Sequence, residues 1–593
     1  MAQSQLTKTQ RGKKRPTGAF SAVLVVLVIV LGFFIWKNAT TDPLKKTDSS
    51  LESSEHSPSP PVENETPEPK ETPETSPTPS IPEFNPQSVE STAPSKFISL
   101  TGIMVNGQET NTYAPSDTID FPLPSDYTDV QGIVTFRGNN FRDSAAYGTA
   151  SMEQRKFSSD SNWTVATGSL QAPDGEYWSG SGWVGQPLMM TWPKEVRAKM
   201  NMHDWAKQAE TLTEVIYATM DGNVYFLDLE TGKKTRDNLN LGFTFKGSGA
   251  LDPRGYPILY LGAGYNSSKG TSRAFIINLL DCSVMYEFGS ADSYSMRGSL
   301  SFFDGSALVD AETDKLIYPG ENGILYIIKL NTNYDPVAGT LSIAPSDVVK
   351  WRYSGIRSSS SKYWLGMEDS AVIWRGHLIM SDNGGHLMCL DLNTLQLKWV
   401  QDVLDDTNCT PVLELEDGHP YVYTSTSFRA GWRAPAGSAV TIPIWKIDAV
   451  TGEIVWQKDY KCYTQDGVSG GTQGTLAIGK NKLSNLIFVP VARTPDPGTG
   501  ILAALDKKTG EVVWEIQTQV YSWSSPVAVY DSEGNGYIVF CTAGGYMYLI
   551  DGQTKTVLDS INLGGNVEAS PAVYNNTIVV GTRAQAIWGV KLT

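Results

Sequence analysis

The chain has 593 residues, a formal net charge of −16 and only five cysteines. An acidic balance of this size excludes nucleic-acid binding, because phosphate contacts need clustered Lys and Arg. So few cysteines exclude a disulfide framework.

The chain begins with a basic tail. Residues 1–18 carry Lys8, Arg11, Lys13, Lys14 and Arg15 and no acid. Residues 19–36 are uncharged, with Val23-Leu-Val-Val-Leu-Val-Ile-Val-Leu at the centre and Phe33, Phe34 and Trp36 closing the run. That length is at the short end for a spanning helix, and the basic flank keeps the N-terminus cytoplasmic. The expectation is an uncleaved signal anchor in the cell membrane, single-pass, with everything after it extracellular. A cleaved signal peptide is the rival; Trp36-Lys37-Asn38-Ala39 matches its cleavage site poorly, and no Cys follows to take a lipid. Residues 37–95 are dominated by Pro, Ser, Thr and Glu and predict a disordered linker. If its prolines keep it extended, it reaches on the order of 100 Å. Tail, linker and remainder carry +5, −7 and −14. Residues 96–161 form a lead-in segment.

From residue 162 to the C-terminus the chain repeats itself. Asp228-Leu-Glu-Thr-Gly, Asp391-Leu-Asn-Thr-Leu, Asp448-Ala-Val-Thr-Gly, Asp506-Lys-Lys-Thr-Gly and Asp551-Gly-Gln-Thr-Lys share one frame, with a weaker copy at Lys329-Leu-Asn-Thr. Each follows a short apolar run, and several precede a run bearing Trp351, Trp399, Trp456 or Trp514. Repetition at about 50 residues with β-type units predicts a propeller, four antiparallel strands (A to D, innermost first) to each blade. A strands are expected near Gln186, Gly249, Ser299, Asp369, Thr410, Gly474, Ser525 and Ser570. The last unit has only three strands, and Trp163-Thr-Val-Ala is an outer strand with no blade before it. Pairing the two removes both free edges. The count is eight blades, with seven as the alternative because Asn278-Leu-Leu-Asp-Cys departs from the frame.

The Asp-x-x-Thr-Gly-Glu-x-x-Trp frame, the Ser525-Pro-Val-Ala-Val strand and the Phe136-Arg-Gly-Asn-Asn-Phe-Arg lead-in resemble PQQ-like propellers, the eight-bladed fold of quinoprotein alcohol dehydrogenases. For a dehydrogenase the resemblance implies PQQ, a Ca²⁺ held by carboxylate and amide oxygens, a catalytic Asp and an adjacent Cys-Cys disulfide. The sequence has no Cys-Cys pair and no Cys-x-x-Cys-His. Asp496-Pro-Gly and Asp221-Gly-Asn are oxygen-rich but fit hairpin turns. Cys409 and Cys462 fall in loops of neighbouring units, paired or free.

No hydrolase or phosphate-binding constellation stands out, which leaves a surface. In a propeller the D-to-A and B-to-C loops share the face around the channel mouth. Trp178, Trp183, Trp364 and Trp523 fall in the first set, Arg429 and Trp432 in a long B-to-C loop, and Arg297, Glu368, Asp369 and Gln473 near A-strand starts. Aromatics with a few convergent polar groups are what a binding site needs. The alternative is that the rings simply plug the mouth. The expected function is a non-catalytic binding or scaffold module for an envelope protein, peptide or glycan, without metal or cofactor. A PQQ- and Ca-dependent dehydrogenase oxidising an alcohol or sugar is the alternative.

Overall fold

The computed structural model describes residues 83–593 apart from 298–299, 358–364 and 465–467. The basic tail, the expected signal anchor and the linker up to residue 82 lie outside the described residues, as does Trp364. No helix among the described residues is long and apolar enough to cross a membrane.

Eight antiparallel sheets follow one another along the chain as the blades of a β-propeller. Their A strands are Leu188–Thr191, Ala250–Leu251, Leu308–Asp310, Val372–Trp374, Val412–Glu416, Ala477–Ile478, Val527–Tyr530 and Ala572–Tyr574. Seven of them start one to three residues after the expected positions. Blade 3 is the correction: its A strand begins at Leu308, not near Ser299. The apolar Leu300-Ser-Phe-Phe run looks like a strand, but its rings turn inward from a loop. Phe303 packs on Tyr318 at 5.2 Å and Tyr326 at 5.8 Å. Blade 2 keeps its outer hairpin despite the aberrant turn. Asn278 Oδ1 accepts the Leu280 N–H at 2.8 Å, and Cys282 takes φ 64°.

Blade 8 is closed by both halves of the chain. Ala586–Lys591 pairs with Thr577–Thr582 on one side and with Trp163–Ala166 on the other, Gly589 opposite Trp163.

The repeated frame is a lock between neighbouring blades. Asp448 Oδ1 accepts the N–H groups of Val450 and Thr451 at 2.8 and 3.0 Å, and Asp506 Oδ1 accepts those of Lys508 and Thr509 at 3.0 and 2.9 Å. The following Gly452 and Gly510 take φ 75° and 72°, a conformation L side chains resist. Glycine is required there twice over: a Cβ on Gly452 or Gly510 would lie 2.7 or 2.6 Å from the ring of Trp399 or Trp456. Each ring also donates its Nε1–H to the residue after the next blade's Asp. Trp163 reaches Leu229 O at 2.9 Å, Trp399 Ala449 O at 2.8 Å, Trp456 Lys507 O at 2.8 Å and Trp514 Gly552 O at 3.0 Å. Where Leu395 replaces the glycine, the preceding Trp351 Nε1 has no partner. Lys555 also replaces it, yet Trp514 keeps its bond.

The end of the expected linker belongs to the folded body. Phe84 is buried and stacks on Trp374 at 5.0 Å, the Thr92 hydroxyl donates to Thr451 O at 2.6 Å, and Val400 N donates to Thr92 O at 2.9 Å. Composition hid this because one buried ring and a few backbone bonds suffice to hold an otherwise polar segment. The lead-in then adds Ile98–Val105 as an extra strand on the D strand of blade 3, Ser346–Gly355.

Residues 131–147 enter the axial channel. Gly132–Ile133 pairs antiparallel with the A strand of blade 1, and Ala146–Tyr147 pairs parallel with that of blade 8. Between them Leu251 N donates to Val134 O, Ile373 N to Asn140 O and Leu413 N to Phe141 O, at 2.6, 3.0 and 3.0 Å. Arg142 donates to Ala371 O at 2.9 Å, Ser306 O at 2.8 Å and Phe136 O at 3.0 Å, and Arg137 to Pro526 O at 3.1 Å. Both guanidinium groups are fully buried among carbonyl oxygens, and burial pulls them down to about 10. The segment is an axle bonded to blades 1, 2, 3, 4, 5, 7 and 8.

Candidate functional site

The opposite end of the channel is built by the D-to-A loops. Four residues before each A strand, in blade order, stand Val184, Lys246, Asp304, Glu368, Asn408, Gln473, Trp523 and Glu568. Two residues further on, seven of the eight positions carry a hydroxyl: Ser248, Ser306, Ser370, Thr410, Thr475, Ser525 and Ser570. These tie the ring together: the N–H groups of Ser306, Ser370, Thr410, Thr475 and Ser525 each reach the hydroxyl of the next blade. Ser306 N bonds Ser370 Oγ at 2.8 Å, Ser370 N bonds Thr410 Oγ1 at 3.0 Å, and Thr475 N bonds Ser525 Oγ at 2.9 Å. In blades 2 and 3 the ring leaves no room for a side chain between the two positions. A Cβ on Gly247 would meet Asp304 O at 1.8 Å, and one on Gly305 would meet Asp369 O at 2.3 Å.

Around this mouth the aromatic side chains form a continuous arc. Trp178 and Trp523 each lie edge-on to Trp183 at 6.1 Å, Tyr265 lies 5.1 Å from Trp178, and Phe302 stacks on Tyr265 at 5.3 Å. Trp183 donates its Nε1–H to Glu368 Oε1 at 2.8 Å, and Asn383 Nδ2 reaches Glu368 Oε2 at 3.1 Å. Lys246 Nζ pairs with Asp304 at 2.7 Å and sits 4.7 Å from the Trp183 ring centre. Trp178, Trp183, Glu368 and Trp523 are therefore brought together. Arg297 joins through Glu321 at 3.4 Å, and Arg429 through Asp406 at 3.6 Å, with Trp432 beneath it at 5.8 Å. Asp369 and Gln473 face the axis but are buried, Asp369 held by Ser381.

Lys246, Asp304, Glu321, Asn383 and Asp406 are the residues sequence reasoning missed. The first two occupy the position four before an A strand and become visible once the repeats are aligned on that strand. Glu321-Asn-Gly and Asp382-Asn-Gly look like ordinary hairpin turns. The two oxygen-rich loops weighed as Ca²⁺ sites are turns: Asp221 Oδ1 takes the Thr219 hydroxyl and Asn223 N–H at 2.6 and 3.1 Å, and Asp496 O takes Thr499 N at 3.2 Å. All five cysteines are free, Cys409 and Cys462 included.

The acids crowd one another. Burial, then the nearby Glu368 carboxylate, pushes Glu321 up to about 8, against the pull of Arg297 and Lys246. Burial and Glu368 likewise push Asp406 up to about 8. Such groups bind protons in the folded state that they lack when unfolded. Their stabilising contribution is full below the ordinary carboxylate range and is lost as pH rises through about 8. The melting temperature is expected to fall between pH 5 and pH 9, and Glu321→Gln to flatten that slope. A midpoint that rises across this window in calorimetry would contradict the assignment.

An eight-bladed propeller of PQQ-like repeats is the class that fold and repeat chemistry define. Residues 498–593 match the PQQ_2 family, described as outer membrane protein assembly factor BamB. No curated protein matches the chain in sequence. Solved structures similar to it include BamB from Moraxella catarrhalis, at 15% identity over 64% of this chain and 93% of that one, with a TM-score of 0.43. Quinohemoprotein alcohol dehydrogenase ADHIIG from Pseudomonas putida HK5 has 11% identity over 78% and 80%, with a TM-score of 0.49. The quinohemoprotein alcohol dehydrogenase of Comamonas testosteroni has 12% identity over 78% and 80%, with a TM-score of 0.38.

Proposed function

We propose that the protein is a membrane-anchored, extracytoplasmic propeller acting as a non-catalytic docking module, whose aromatic mouth holds a polypeptide of the cell envelope. The observation that carries this reading is the arc of Trp178, Trp183, Trp523, Tyr265 and Phe302 set over charged and amide groups, since apolar rings with a few placed polar partners are the usual makeup of a recognition surface. The family matched by the last blades is described as an assembly factor, which favours a polypeptide over a glycan.

The residues of the mouth do not fit the quinone and Ca²⁺ of the dehydrogenase reading. The cavity inside the ring is about 20 Å³. That holds one water, against roughly 300 Å³ or more for typical small-molecule sites.

Partner capture from envelope extract, measured beside a thermal melt, tests the docking reading. Trp523→Ala is expected to weaken capture by about 30-fold, since an anchoring aromatic contributes ~2 kcal/mol or more. Its melt should match the parent. Trp514→Ala, which removes a blade-to-blade lock, should lower stability by ~3–5 kcal/mol and spare capture in the folded fraction. If Trp523→Ala loses stability and keeps its partner, the rings are a plug and the reading fails. Saturable PQQ and Ca²⁺ binding with alcohol-dependent dye reduction would replace it with the dehydrogenase.

A further inference from the structure

Five acids crowd the mouth, and among the described residues Glu368 and Asp369 are the two that no cation meets at ion-pair distance. Asp304, Glu321, Asp369 and Asp406 gather around Glu368; among the described residues Lys246, Arg297 and Arg429 pair with three of them, and the buried Arg142 of the axle lies near Asp369 without bonding it. Each cation is engaged: Lys246 with Asp304, Arg297 with Glu321 and Arg429 with Asp406. Glu368 is held by neutral donors, Trp183 and Asn383, and Asp369 by the neutral Ser381. Asp304, Glu368 and Asp369 line the axial cavity, with Phe136 of the axle also in its wall. Oδ1 of Asp304 and Oδ1 of Asp369 have no hydrogen-bond partner, although these residues are only 8% and 3% exposed.

We propose that this cavity receives a protonated primary amine, the ammonium head of a lysine side chain on the docked partner. The inference rests on the docking reading and names what the mouth recognises. An ammonium group is about the size of the single water the cavity can hold, whereas a guanidinium is larger. It brings three donors and no acceptor, which suits a wall of carboxylate oxygens lacking donors. It also brings a cation to Glu368 and Asp369, which neutral donors hold: an unpaired buried carboxylate is costly, and burial already pushes Asp304 and Asp369 upward. The chain shows the same chemistry next door. Lys246 Nζ lies against one of these acids and 4.7, 5.1 and 5.6 Å from the ring centres of Trp183, Phe302 and Trp178.

The test is a tryptophan-fluorescence titration of the full-length protein in detergent. The probes are Nα-acetyl-lysine N-methylamide, its norleucine analogue, methylammonium and calcium chloride. The lysine probe is expected to saturate and the norleucine analogue not to. Asp369→Asn and Glu368→Gln are each expected to weaken the lysine probe at least tenfold, with unchanged melts. Equal binding of lysine and norleucine probes overturns the proposal. So does calcium that saturates where the lysine probe does not, or methylammonium that outcompetes it, which would mark a site for a free amine. If Trp523→Ala abolishes partner capture while the lysine probe stays silent, docking stands and this inference falls. If capture ignores Trp523→Ala, docking falls, and the norleucine comparison still decides the cavity.

Discussion

Deleting residues 586–593 should abolish the cooperative melt, far beyond what eight residues of a 593-residue chain suggest. The segment is the C strand of blade 8, lying between Thr577–Thr582 and Trp163–Ala166. Without it the fully buried Thr577–Thr582 becomes an open edge, and Trp163–Ala166 loses the one strand it pairs with among the described residues. Ile587, Val590 and Leu592 are also lost, each 2% exposed or less. Fully burying such side chains contributes about 1.5–3 kcal/mol apiece. Their sum is comparable with the ~5–15 kcal/mol that holds a whole domain folded. Trp163 would keep its bond to Leu229 O but not the sheet that positions it. Circular dichroism melts and size-exclusion chromatography should show aggregation or a broad, uncooperative transition. A truncated chain that melts like the parent would refute closure by a shared blade.

Arg142→Met should be nearly as damaging, although it changes one side chain. Arg142 donates to the Ala371, Ser306 and Phe136 carbonyls and to the Thr135 hydroxyl, all buried. Methionine fills much of the volume and leaves those acceptors empty, at about 1–3 kcal/mol for each buried group left unsatisfied. A loss upward of about 4 kcal/mol is expected in denaturant melts. Arg142→Lys should recover little of it, because one ammonium cannot span acceptors that a planar guanidinium fork reaches together. A lysine variant as stable as the parent would mean that charge alone matters at the axle.

The blade count, the shared last blade and the outer-strand tryptophans were legible because each copy of a repeat carries the same local physics. Asp448 and Asp506 make identical turns, and Trp399 and Trp456 sit on identical glycines. The exceptions show where that logic ends. Phe302 and Phe303 look like a strand and are a loop, because alternation cannot tell a ring pointing into a sheet core from one folded back from a connection. Phe84 looked like linker, since nothing local marks a residue whose partner, Trp374, is 290 positions away. The site was half legible for the same reason. Tryptophans in loops advertise themselves, but Lys246 and Asp304 acquire meaning only when eight loops are laid over one another around an axis.

The axle also sets the order in which the molecule can be finished. Most blades are successive hairpins, so each sheet can form from about 50 contiguous residues as they arrive. Residues 131–147 are made before every blade, yet they bond Val573 in the last, and Trp163 waits for Gly589. No partial chain can therefore assemble the hub or close the ring, and the last few residues complete a body whose centre was synthesised first. Such a protein stays unfinished, and so threadable, for as long as it is being made. The same delay leaves apolar strands uncovered until the final turn is in place. Its yield should therefore depend on how quickly the C-terminal strand is released to close the ring.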